Sequence, residues 1–305
     1  MKNIFTFILL LGATVAFSQN DIGWTHFGFN RLAYNPAYAG GENALAATAL
    51  YRNQWWSGIE GSPKNISVNV HSPIGGFNNA LGLEINTDRI GLYNRQNVAL
   101  NYAYRLRFNE RNYLGLGING QLGFASVDWQ IAQGLQETDN LIGTQAENRF
   151  APNVGLGAYL SMDKFYAGVS MPLLLKNTFY LNENGTDEGA KRTFYAMAGL
   201  NLPIGSNIDF QPHLLASVNG AAPFDLDLNA NLLFFDTFML GLSYRLEDSI
   251  DALFQYRLKN GLRLGVAVDF TASDLNKVTT GSYELYVSYV LPCTNCESVE
   301  NLRYF

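Results

Sequence analysis

Two cysteines and three histidines are all that 305 residues offer for thiol or metal chemistry. His26, His71 and His213 stand far apart, none at a spacing that lets two imidazoles share an ion, and no Cys/His/carboxylate cluster accompanies them. A Gly-x-Ser-x-Gly elbow and a phosphate-cradling glycine loop are missing too. These absences argue against an enzyme, a metal and a cofactor. Charge is also scarce, at 15% of residues with a net of −6, and no run of Lys or Arg is present to suit a nucleic acid. Beyond the N-terminus no apolar run approaches the roughly 18 residues of a membrane-spanning helix. Cys293 and Cys296 form Cys-Thr-Asn-Cys near the C-terminus. In an oxidising compartment they suit a small disulfide or a bond to another protein, whereas a redox motif belongs on a strand-to-helix turn of an α/β fold.

What is present is alternation. Val98, Leu100, Tyr102, Tyr104 and Leu106 occupy one face of a segment whose other face carries Ala99, Asn101, Ala103, Arg105 and Arg107. The same period of two recurs at Leu226, Leu228, Ala230 and Leu232 against Asp225, Asp227, Asn229 and Asn231. It recurs once more at 250–259, where Leu253 is the one break. A period of two marks a strand with one apolar and one polar face. Fourteen such strands are predicted, at 43–55, 64–72, 79–87, 95–109, 112–127, 150–161, 164–171, 191–202, 207–218, 223–235, 238–247, 250–259, 262–271 and 281–291. Short joins follow the even-numbered strands, among them Asn260-Gly261, a pair suited to a type I′ turn, and longer joins generally follow the odd ones. Even strand number and this parity predict an all-β fold, a transmembrane antiparallel barrel of about fourteen strands. The polar faces, running from Arg105 and Arg107 through Asp227 and Arg245 to Asp269 and Glu284, must then line the interior, since each charge facing lipid would cost ~2–4 kcal/mol. Their mixed signs suit pairing across a filled lumen better than a charge-selective path. Gly115, Gly117, Gly155 and Gly157 lie inside predicted strands, where glycine lets backbones approach or the sheet bend.

The first eighteen residues read as a secretory signal peptide: Lys2, an apolar core from Ile4 to Leu11, and Ala16-Phe17-Ser18 before the cut. Its removal takes the net charge from −6 to −7. Residues 19–42 lack alternation and are expected to form a plug-like or periplasmic segment, 43–291 the barrel, and 292–305 a periplasmic tail. Export plus a barrel places the protein in a bacterial outer membrane, in contact with its lipid.

The densest motifs lie between Asn30 and Asp88. The chain runs Asn35-Pro36-Ala37 to Gly40, then Arg52, Gln54 and Trp55 at the end of the first strand, then Gly61 and Pro63. His71 and Pro73 follow, then Asp88 and Gly91, then Tyr104-Arg105. Asn35, Pro36 and Gly40 are expected to fix a tight turn where the N-terminal segment meets the barrel, Trp55 and Trp56 to anchor at the lipid interface, and His71 to lie in a turn or at the rim. This series resembles the PorP/SprF family of the Bacteroidetes type IX secretion system. The resemblance implies an outer-membrane barrel in secretion, gliding or adhesion. It would help export a secreted adhesin-like surface protein, or retain it through its C-terminal domain, alongside other type IX components. A FadL-like transporter of hydrophobic solutes is the alternative, and a mostly charged, glycine- and asparagine-rich interior counts against it.

Overall fold

Between Phe238 and Arg245 every second residue is buried and those between are exposed, the alternation expected of a sheet with one face in lipid. The computed structural model describes residues 23–56, 59–109, 112–128, 147–176, 192–219, 224–277, 279 and 281–291. The predicted signal peptide, Cys293, Cys296 and the predicted tail lie outside the described residues. Strands β1 (Ala46–Asn53), β2 (Lys64–Ile74), β3 (Asn79–Ile90), β4 (Tyr93–Arg107), β5 (Tyr113–Val127), β6 (Glu147–Ser161) and β7 (Phe165–Met171) make half of the wall. The other half is β8 (Thr193–Leu200, continued by Leu202–Pro203), β9 (Ile208–Asn219), β10 (Asp225–Phe234), β11 (Phe238–Arg245), β12 (Ser249–Arg257), β13 (Leu262–Thr271) and β14 (Ser282–Val290). The two pieces of β8 hold one register against β9, His213 opposite Gly199 and Asp209 opposite Pro203, so Asn201 interrupts a single strand. Each strand pairs antiparallel with its sequence neighbours, and β1 pairs with β14 from Ala46 opposite Val290 to Asn53 opposite Tyr283. The sheet is therefore a closed barrel of fourteen strands with no free edge at its seam.

Joins at one end of the barrel are three to five residues long. Those at the other include the stretches 54–63, 128–146, 172–192 and 272–281. Three joins break the parity: Gly91-Leu92 between β3 and β4, possible because Gly91 takes φ +55, 220–224 between β9 and β10, and 246–248 between β11 and β12. The expected type I′ turn at Asn260-Gly261 does not form. Only Gly261 is left-handed, at φ +90, and Leu258 N–H reaches Leu262 O, which makes a longer turn with a bulge. Left-handed geometry at both central residues occurs instead at Phe235 and Asp236, each at φ +53.

The barrel is apolar outside and polar inside. Leu240 and Leu242 are 53% and 63% exposed, whereas Asp251, Gln255, Arg105 and Glu284 are wholly buried. Arg107 departs from the expected inward face and lies exposed at the short-join end, its guanidinium over the Phe77 ring. Leu253, the break in alternation, points inward opposite Gly241 and Ala267, whose small size makes room for it. An arginine at Leu242, in the middle of the apolar face, is expected to lower the unfolding free energy in bilayers by about 2–4 kcal/mol. A urea titration in vesicles measures this, and a loss below about 0.5 kcal/mol would contradict the lipid-facing assignment.

Candidate functional site

Residues 24–41 fill the lumen. Their apolar and aromatic side chains recur without the period of a strand or a long helix, and the backbone folds as three short 3-10 turns, Phe27–Phe29, Arg31–Ala33 and Pro36–Tyr38. The path starts in the half of the lumen nearest the long joins, where Gly23 abuts the Arg245 guanidinium. It descends to the short-join end, where Glu42 binds Arg263 before β1 begins. Trp24, Phe27, Leu32, Tyr34 and Tyr38 pack on inward tyrosines of the wall, Tyr159 and Tyr166 among them.

Asn35 docks the segment midway. Its side-chain oxygen accepts the Ala37 N–H at 3.0 Å and so caps the third turn, while its amide donates to Ala158 O at 3.0 Å and Val169 O at 3.3 Å. Those two residues are partners across β6 and β7. The motif thus forms the expected tight turn, and it does so inside the lumen against the wall. The close approach depends on missing side chains. A Cβ at Gly117 would strike the Ala37 backbone, one at Gly157 the Asn35 side chain, and one at Gly115 would come within 2.7 Å of Ala37 O. Gly115, Gly117 and Gly157 are the bed on which Asn35-Pro36-Ala37 rests, whereas Gly155 faces Pro172 O and the Asn119 side chain.

Polar anchors hold both ends. At the short-join end Gly40 donates its N–H to His71 Nδ1 at 3.1 Å, which leaves Nε2 to carry the imidazole proton. Gly40 O accepts from Arg105 at 2.6 Å, and the same guanidinium lies 4.1 Å from the Phe77 ring centroid. His71 is therefore a buried strand residue and not a rim residue. Burial opposes charge on Glu42, but Arg263, 3.1 and 3.3 Å from its oxygens, outweighs that and holds the carboxyl below its usual range. At the other end Arg52 lies inside the lumen, bonded to Asp269 and, at 3.0 Å, to Thr25 Oγ1. Glu284 accepts the backbone N–H groups of Thr25 and His26, each at 2.9 Å, and lies 2.6 Å from His26 Nδ1.

A second group of motif residues meets at the long-join rim. Gly91 N–H donates to Gly61 O at 2.8 Å, Gln54 N–H to Pro63 O at 2.9 Å, and the Asn65 amide to Asp88 at 2.6 Å. Trp55 takes φ +51, and Trp56 is exposed beside Tyr283. Tyr104 stands apart on the lipid face, and Pro73 lies near the short-join end of β2 opposite Ala80. Thr25, His26, Glu42 and Arg263 went unsingled in the motif reading. Their partners are up to 259 residues away, a separation that leaves no spacing to read.

A methyl group at Gly117 is expected to cost about 1–3 kcal/mol of unfolding free energy by overpacking against Ala37. At Gly120, where a Cβ meets nothing within 4 Å, the same change should stay within about 0.5 kcal/mol. Equal losses for Gly117→Ala and Gly120→Ala would show that the bed does not hold the segment.

The fold is shared with the toluene transporter TbuX of Ralstonia pickettii, at a TM-score of 0.50 and 10% identity, over 85% of this chain and 92% of that one. It is likewise shared with the CymD monoaromatic hydrocarbon channel, at 0.51 and 11% over 86% and 92%. At such identities the likeness is one of fold. No curated protein sequence matches the chain. The family model described as type IX secretion system membrane protein PorP/SprF matches residues 16–289, which takes in every strand but the last residue of β14. A closed barrel with an apolar outer belt, in a membrane-protein family of this system, is an outer-membrane protein. The chain belongs to the PorP/SprF family of type IX secretion system membrane proteins.

Proposed function

We propose that this barrel serves type IX secretion by binding a secreted, adhesin-like surface protein, and that it carries out no catalysis itself. The observation that carries the reading is the filled lumen. A segment bonded to the wall at both ends and through Asn35 leaves the outer surface, not a central channel, as the place for a partner. In this reading the long joins face the cell exterior, residues 1–18 are removed on export, and residues 292–305 stay on the periplasmic side near other secretion components. Cargo contacts fall on the loops 57–64, 127–149 and 172–192, together with the rim where Gly61 and Gly91 meet and Trp56 is exposed. Of these loops, residues 57–58, 129–146 and 177–191 lie outside the described residues. Aromatic and amide side chains at such a rim suit a polar protein surface.

The shared fold of a toluene transporter and a monoaromatic hydrocarbon channel keeps a second reading in play, passage of a small apolar solute. The charged and amide-lined interior, with Arg52, Asp251 and Glu284 fully buried, opposes it.

Deleting the gene is expected to remove one or a few proteins from the cell exterior while general growth continues, as read by surface proteomics. Loss of uptake of an apolar solute with surface proteins unchanged would establish the transporter reading instead. In planar bilayers the intact protein is expected to pass little steady current. A large, steady conductance would overturn the filled-lumen argument.

A further inference from the structure

The upper anchor of the N-terminal segment contains a hydroxyl with more neighbours than its own proton can serve. Thr25 Oγ1 accepts from Arg52 Nη1 at 3.0 Å and lies 3.0 Å from Asp269 Oδ1 and 3.2 Å from Asp251 Oδ2. A hydroxyl has one hydrogen to donate and two lone pairs to accept with. If both aspartates were ionised, one of the two carboxylate contacts would hold no hydrogen and would be a repulsion between buried oxygens. Asp251 and Asp269 are moreover register partners on β12 and β13, buried to 0% and 2% exposure. Two ionised carboxylates placed so closely, away from water, repel.

Other groups decide which one keeps a proton. Asp269 Oδ2 is bonded to Arg52, so its charge is compensated. Glu284 is served by two backbone N–H groups and His26, with Arg52 Nη1 at 3.5 Å, and Asp227 by Arg245 at 2.7 Å. Arg245 also faces Asp248, at 3.6 Å, and together with Arg52 it acts through space on Asp251. Asp251 has no salt bridge among the described residues. Its Oδ1 accepts from the Ser249 hydroxyl at 2.6 Å, and its Oδ2 meets Thr25.

We propose that Asp251 is held as a neutral acid whose proton, donated from Oδ2 to Thr25 Oγ1, latches the N-terminal segment to the barrel wall. The hydroxyl then accepts from Arg52 and Asp251 and donates to Asp269, which satisfies every lone pair and proton it has. Deprotonation at alkaline pH turns the Asp251–Thr25 bond into a repulsion and loosens the start of the segment. A latch that holds a proton in place and gives it up on opening weakens as pH rises.

The test uses the full mature barrel in lipid nanodiscs. Arg31 is buried in the lumen, so trypsin cuts after it only when the segment opens. From about pH 6 to about pH 10, below the lysine pKa, the opening constant should rise by up to about tenfold per pH unit while the latched state keeps the proton that the opened state releases, and level off once the latched state has lost it, counted from the fragment ending at Arg31 and corrected for trypsin's own pH profile. Asp251→Asn supplies a permanent N–H donor, and its cleavage should stay flat. The infrared difference between wild type and Asp251→Asn should show a protonated-carboxyl band at neutral pH that disappears along the same titration. Absence of that band, or an equal alkaline rise in Asp251→Asn, overturns the proposal. If Asp251→Asn does not assemble, the wild-type titration decides: cleavage that stays flat to the alkaline limit also overturns it.

Discussion

Closing a sheet in lipid sends its polar faces inward, and every charge so enclosed needs a partner within the barrel. Water cannot fill the need where residues such as Arg52, Arg105 and Glu284 are wholly buried, and an unpaired buried charge costs several kcal/mol. The wall answers in part by itself: Arg52 and Glu284 face each other across the β1–β14 seam, and Arg245 meets Asp227 across β10 and β11. The N-terminal segment supplies the rest. Backbone N–H groups of Thr25 and His26 bond Glu284, Gly40 bonds Arg105 and His71, and Glu42 pairs with Arg263. Filling the lumen and neutralising it are one act.

Packing follows from that act. A barrel of fourteen strands is too wide for its own side chains to meet across the middle, so a further layer is needed. The segment provides aromatic bulk where the wall is small and backbone where the wall is glycine. Asn35 reaches strand carbonyls on β6 and β7 because Gly157 and Gly168 leave its path clear. On the outer face the requirement is opposite in kind, since apolar residues need only be present, not placed.

This difference explains how much could be read beforehand. Strand number, the closed antiparallel order and the inward direction of most charges were legible because a period of two repeats along each strand and uses only local information. Asn260-Gly261 misled because turn propensity names a preferred geometry, while the flanking register decided for a bulge ending at Gly261. Arg107 misled because alternation continues past the last enclosed residue of a strand and does not show where the lumen stops. The course of residues 24–41 was legible only as an absence of alternation. The glycines of β5 and β6 hinted at a close backbone approach but not at whose backbone, because contacts such as Asn35 with Ala158 and Thr25 with Glu284 join residues 123 and 259 apart.

The segment is also tethered: Gly41 is separated from Ala46, the first residue of β1, by only four residues. Its association with the wall is therefore intramolecular, at an effective concentration on the order of millimolar set by that short leash. A set of contacts worth only a micromolar dissociation constant between separate molecules would still keep the lumen occupied by about a thousand to one. Losing a single hydrogen bond shifts that ratio by about tenfold and leaves nearly every barrel filled. Avidity makes the occupied state tolerant of single lesions, and emptying the barrel requires its upper, middle and lower attachments to fail together.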